Sequence, residues 1–168
     1  MSMFDELLAI KRFREGQAEI AVARQRQVLQ DARDGEQAAL RSLDDFRGWA
    51  DAHERELYGD LCRRTVRVRE IESVLQDVAG LREGERQHEQ ALDAARAAAE
   101  REESALQARR DDHRQATRMS EKFVELARSH FDAQLREAER KEDLEMEEAA
   151  SVARDRDDWE QHEEYEPS

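Results

Sequence analysis

A seven-residue repeat running from Ile71 to Ala127 constrains this chain more than any other feature. Alternate steps of three and four from Ile71 land on Val74, Val78, Leu81, Glu85, His88, Leu92, Ala95, Ala99, Glu102, Leu106, Arg109, His113, Ala116, Ser120, Phe123 and Ala127. The mean step is about 3.5 residues, the period of a left-handed supercoil rather than of a straight lone helix. A helix with so narrow a stripe needs a partner helix carrying a stripe of its own.

Composition points the same way. Charged residues make up 42% of the 168 positions and aromatics 5%, too little apolar bulk for a compact core but enough for a two-helix seam. Disordered chains share such charge but do not keep a heptad over many turns, nor do they lack proline until Pro167. The fold expected is therefore all-α, a long antiparallel two-helix coiled-coil hairpin whose second helix is longer than the first.

The first helix is expected over about residues 3–57. Ser2 with Asp5 suits a capping box, and Asp5 and Glu6 suit the positive end of the helix dipole. Its stripe reads Leu7, Ile10, Gln17, Ala21, Val28, Ala32, Ala39, Leu43, Phe46, Ala50 and Leu57. Gly16, Gly35 and Gly48 each cost about 1 kcal/mol in a helix but lack accompanying turn residues, so the helix is read through them. The turn is placed within residues 58–68, where Gly59 and Asp60 offer a stop and a new cap and Thr65, Val66 and Val68 are β-branched.

A turn centred near Leu61 or Cys62 makes opposed positions sum to about 124. Phe46 should then face Val78, Leu43 should face Leu81, Ala32 should face Leu92, and Ile10 should lie near His113 or Arg114. The paired length would be roughly 80 Å at ~1.5 Å per residue. The second helix, about residues 68–150, should outrun its partner near position 121 with Met119, Phe123, Leu126, Phe131, Leu135, Leu144 and Met146 on the overhang. Residues 1–150 form one domain on this reading, and 151–168, with Trp159 and Tyr165, a frayed or disordered acidic tail.

The net charge of −14 is concentrated late in the chain: residues 131–168 hold 5 Lys and Arg against 15 Asp and Glu. Such a chain has no electrostatic reason to bind nucleic acid. No run approaches the ~20 apolar residues of a membrane span. Cys62 is the only cysteine, so no intrachain disulfide can form, and the first residues do not read as a cleaved signal peptide. A cytoplasmic location is expected.

No catalytic constellation, metal site or cofactor loop is apparent. His88, His113 and His130 are at least 17 residues apart, which on one helix is ~25 Å or more. They are read as polar seam residues that set register. Cys62 beside Arg63 and Arg64 has no histidine base near it in sequence. Tyr58, Arg63, Arg64 and Arg67 are candidate contacts at the hairpin tip, in the densest basic stretch of the chain. Trp49 lies one step off the seam near Phe46 and Tyr58, a position suited to an interface anchor.

Several segments in this order resemble the YscO/FliJ-like family, the central stalk proteins of bacterial type III secretion, and most closely its virulence branch. They are Ile10-Lys-Arg-Phe-Arg14, Ala21-Val-Ala-Arg-Gln-Arg-Gln27, Glu54 to Tyr58 after Trp49, Glu121-Lys-Phe-Val-Glu-Leu126 and Arg140-Lys-Glu-Asp-Leu-Glu145. The resemblance implies an α-hairpin similar to the coiled coil of the rotary ATP synthase γ subunit. Its open end would enter the hexameric secretion ATPase, a non-enzymatic role at the cytoplasmic side of the inner membrane.

On this chain the resemblance places the ATPase-binding end at Lys11, Arg12, Phe13 and Arg14 with Lys122 and Phe123. It places a face for the export gate's cytoplasmic domain or for secretion chaperones at Phe46, Trp49 or Ala50, Ile71, Leu75 and Val78. The free protein would be monomeric. Two other readings stay open: a coiled-coil scaffold paired between chains, and a chaperone escort that never touches the ATPase.

Overall fold

The computed structural model describes residues 3–164, so the Ser2 cap, Tyr165 and Pro167 lie outside it. The described residues form two helices and no strand: α1, Met3–Arg63, and α2, Val68–Glu163. The chain is thus an all-α helical hairpin with the second helix the longer. Asp5 and Glu6 occupy the first turn of α1, where the helix dipole favours negative charge.

α1 does not stop near residue 57 but runs on to Arg63. Gly59 does not act as a C-cap, because that role needs a left-handed backbone and no glycine among the described residues has positive φ. The link is the short stretch Arg64 to Arg67. Glu70 then starts α2: its carboxylate accepts from the Arg67 backbone N–H at 3.3 Å, and its own N–H donates to the Arg67 carbonyl at 3.0 Å. This is the reciprocal half of a capping box, supplied without a Ser or Thr. α2 likewise runs past its expected end, so that residues 151–163, taken from sequence as a frayed tail, are helical.

The described chain divides into two units, Gly16–Gln115 and a second one built from the residues up to Glu15 and those from Ala116 onward. In Gly16–Gln115, α1 packs antiparallel on α2 through Val22, Leu29, Leu43 and Ala50 from one side and Leu92, Ala99 and Leu106 from the other, all buried. Each large aliphatic group removed from water contributes about 1.5–3 kcal/mol, and these carry the unit. The second helix follows its expected stripe: Val74, Val78, Leu81, Glu85, His88, Ala95 and Glu102 are all half-buried, though Ile71 and Arg109 are exposed.

The first helix keeps its expected stripe from Ala32 through Leu57 but departs from it in phase before Ala32. Its seam is Val22, Gln25, Leu29, Ala32, Glu36, Ala39, Leu43 and Phe46, a strict heptad, whereas Gln17 and Val28 face solvent. Two seam positions, Gln25 and Glu36, are polar, and that masked the repeat.

The register also differs. Phe46 packs on His88 in a tilted arrangement, 4.7 Å between ring centroids, rather than facing Val78. Arg47 holds Glu85 at 3.0 Å and Glu89 at 2.7 Å, which moves the partners of the Leu43 region well beyond Leu81. Arg33 lies 4.0 Å from Glu103 and Arg96 3.7 Å from Glu36, so Ala32 lies beyond the reach of Leu92 as well. His113 shares a groove with Val22, not with Ile10. Because α1 continues to Arg63, the turn centre shifts towards Val66, and opposed seam numbers sum to about 132 instead of 124.

In the other unit, Phe4 packs on His130 with ring centroids 4.9 Å apart. Lys11 Nζ sits 5.3 Å from the centre of the Phe123 ring, a cation–π contact. Thr117 Oγ1 donates to Glu15 Oε1 at 3.2 Å. Ser120 is the only residue of this unit buried among those described. Pairing therefore reaches His130 rather than ending near position 121, and every residue from Phe131 to Glu164 is exposed.

Candidate functional site

The chain carries its candidate residues as surfaces, not as a pocket. Among the described residues no group of three or more His, Cys, Asp or Glu is placed to hold a metal ion. None of the described helices is long and apolar enough to cross a membrane.

The residues proposed for the ATPase split in their surroundings. Phe13 is 66% exposed although phenylalanine strongly favours burial. Seam positions Lys11 and Glu15 bracket it, which turns its ring away from α2. Arg12, Arg14 and Lys122 are also exposed, while Lys11 and Phe123 are half-buried against each other. Phe123 is thus a packing residue of the paired helices, and Phe13 is the free aromatic of this group.

The six residues proposed for the export gate or chaperones do not form one continuous patch. Phe46, Trp49 and Ala50 belong to the stretch of α1 opposite His88. Ile71, Leu75 and Val78 lie towards the turn from Arg82, which is paired with Glu54 at 3.0 Å. Ala50 is buried in the seam, Phe46 and Val78 are half-buried, and Ile71 and Leu75 are exposed.

Trp49 is 56% exposed. Its ring lies 5.8 Å from Phe46 and stacks on His53 at 5.2 Å and 10°, so the indole is held from one side and open on the other. Sequence reasoning missed His53 and Gly84 as parts of this group. A Cβ on Gly84 would meet Phe46 Cζ at 2.5 Å, so the bare backbone there makes room for the ring. The signal available in the sequence was a glycine near the seam opposite an aromatic residue. Hydrogen bonds that it donates to Glu85, then to Glu89, push the nearby Arg47 guanidinium above its ordinary pKa, and the bond to Glu83 does the same for Arg86.

At the tip, Tyr58, Arg63, Arg64 and Arg67 are all exposed. Arg64 is engaged with Asp60 and Glu70, each at 3.6 Å, so Arg63 and Arg67 are the freer cations. Cys62 is exposed and forms no disulfide.

Comparison with known proteins bears on these surfaces. No curated protein matches the chain. Among solved structures, the 2.8 Å crystal structure of type III secretion protein YscO from Vibrio parahaemolyticus matches with a TM-score of 0.83 and 32% sequence identity, covering 87% of this chain and 92% of that one. The family model for type III secretion protein YscO matches residues 4–152, a span that takes in nearly all of α1, α2 as far as Val152 and every surface described above. The chain belongs to the YscO family of type III secretion proteins.

Proposed function

We propose that this protein is the non-enzymatic central stalk of a type III secretion system: it inserts into the hexameric secretion ATPase, promotes its activity, and couples it to the export gate and to chaperone traffic. The observation that carries this reading is Phe13, an exposed aromatic flanked by exposed Arg12 and Arg14 on an otherwise acidic chain. A cationic and aromatic surface of this kind suits an interface anchor.

A pair of helices inside a sixfold ring contacts its subunits unequally. It biases their nucleotide states and favours ring assembly without an active site of its own, which is a coupling of binding free energies. The protein then works in the cytoplasm, peripheral to the apparatus at the inner membrane. Trp49, with Phe46 behind it, offers a second surface for the export gate's cytoplasmic domain or a chaperone, and Ile71, Leu75 and Val78 a third nearer the tip. Arg63, Arg67 and Tyr58 would add contacts there.

The test is ATP hydrolysis by the cognate ATPase, titrated with this protein while oligomer mass is followed. The stalk role requires a rise that saturates near one protein per hexamer. An unchanged rate at every ratio, with hexamers already formed, removes the stalk role and leaves the scaffold or chaperone escort.

A further inference from the structure

Beside the buried seam of Gly16–Gln115 runs a ladder of flanking residues spaced by seven. On α1 they are Glu54, Arg47, Leu40, Arg33 and Arg26; on α2 they are Arg82, Glu89, Arg96, Glu103 and Arg110. Three of its rungs are complementary. Glu54 meets Arg82 at 3.0 Å, Arg47 meets Glu89 at 2.7 Å, and Arg33 meets Glu103 at 4.0 Å. At the Leu40 rung, Arg96 turns aside to Glu36 at 3.7 Å.

The next rung in the same register sets Arg26 against Arg110. These two line one groove with Glu19, Val22, Ala23, His113 and Arg114. Neither Arg26 nor Arg110 forms an ion pair with any described residue, whereas Arg114 is held by Asp111. Facing like charges across a coiled-coil flank opposes pairing, and a single Glu at either position would have continued the ladder.

We propose that the Arg26–Arg110 rung is a docking site for a carboxylate presented by an acidic segment of a protein partner, whose side chain completes the rung in place of the missing acid. Two guanidiniums offer planar forks that bind a carboxylate with paired hydrogen bonds. The site is one rung wide, between Glu19 on one side and Glu103 on the other, and so fits isolated carboxylates rather than the continuous phosphates of a nucleic acid, which call for an extended positive stripe. The inference is independent of the ATPase reading, since it concerns neither Phe13 nor Trp49.

The experiment uses the full chain and a fluorescein-labelled Glu-Ala repeat peptide as probe, with binding read by anisotropy at low and physiological salt. Arg110→Glu and Arg26→Glu are each expected to weaken binding about tenfold, the scale of one lost charge-assisted hydrogen bond. Arg101→Glu makes the same charge reversal at an exposed position off the ladder and should change binding less than about twofold. Since Arg110→Glu pairs the new acid with Arg26, its circular-dichroism melt should come no lower than wild type, which separates lost docking from lost fold.

Equal weakening by Arg101→Glu, or no binding by wild type at low salt, would overturn the proposal. So would tighter, Arg110-dependent binding of a single-stranded DNA of similar charge. A wild-type sedimentation mass of two chains that falls to one in Arg110→Glu would also overturn it, by assigning the rung to a second copy.

Discussion

Gln25 on α1 reaches across the seam to Glu102 on α2, its Nε2 donating to the Glu102 carbonyl at 3.1 Å and to the carboxylate Oε2 at 2.5 Å. Both residues occupy seam positions where an apolar pair would otherwise sit, and both are half-buried. The pair sits between Val22 and Leu29 on one helix and opposite the stretch ending at Leu106 on the other, a buried cluster in its own right. A polar pair in that setting selects one register, because a slip leaves both groups half-buried without their partner.

Gln25→Leu should therefore destabilise the protein by about 1 kcal/mol, since it leaves Glu102 without its donor. The double change Gln25→Leu with Glu102→Leu should recover that loss or exceed it, while loosening the register. Thermal melts measure the first effect. Cysteine cross-linking between the helices in the Gln25 region measures the second: a single cross-linked product from the double variant would refute a register role.

Gly84 and Gly35 should respond oppositely to alanine. Nothing lies within 4 Å of a Cβ at Gly35, so Gly35→Ala should gain about 1 kcal/mol of helix propensity. At Gly84 the same gain is offset by the clash with Phe46, an overpacking cost of about 1–3 kcal/mol. Denaturant titration of the two variants should place their midpoints on opposite sides of wild type, or Gly84→Ala at best level with it.

Phe13→Ala should abolish stimulation of the secretion ATPase and leave helicity and melting temperature nearly as they are, because most of this residue is already exposed to water. Phe123→Ala should instead lower stability. The loss expected is about 2 kcal/mol, below the ~3–5 of a fully buried phenylalanine, since this ring is only half-buried under Lys11. Full stimulation by Phe13→Ala would move the ATPase contact elsewhere.

Amide hydrogen exchange should fall into three classes. Residues 22–50 and 92–106, with the buried seam between them, should protect longest. Residues 3–15 should exchange sooner, their unit having Ser120 as its one buried residue among those described. Residues 140–163 should exchange fastest, as an exposed helix with no partner among the described residues gains nothing from burial. Strong protection across 140–163 in the isolated protein would mean that this surface is covered.

The helical hairpin and the inward face of its second helix were legible because both follow from local periodicity. Val74, Val78, Leu81, Leu92, Ala99 and Leu106 recur at 3.5-residue spacing, and no other structure buries such a stripe. The exposed Trp49 was legible for the complementary reason, as a large aromatic off the repeat, whereas Phe13 was singled out only by the family resemblance. His53 and Gly84 were not legible, since their part depends on what lies beside them and across the seam.

Register and turn were decided only in three dimensions. Gly59-Asp60 reads locally as a stop, but a glycine costs a helix only about 1 kcal/mol, and continuing to Arg63 brings Arg47 to Glu85 and Glu89, Gln25 to Glu102, and Phe46 over Gly84. Small residues and charges at so many seam positions make the hydrophobic match nearly equal in several alignments. Pairing between particular polar groups, separated by tens of residues in the chain, chooses among them, and no one-dimensional pattern contains that choice. Sequence periodicity determined that two helices would pair, which face α2 would bury and the inward face of α1 from Ala32 to Leu57, and the tertiary contacts decided the phase of α1 before Ala32 and which residue would stand opposite which.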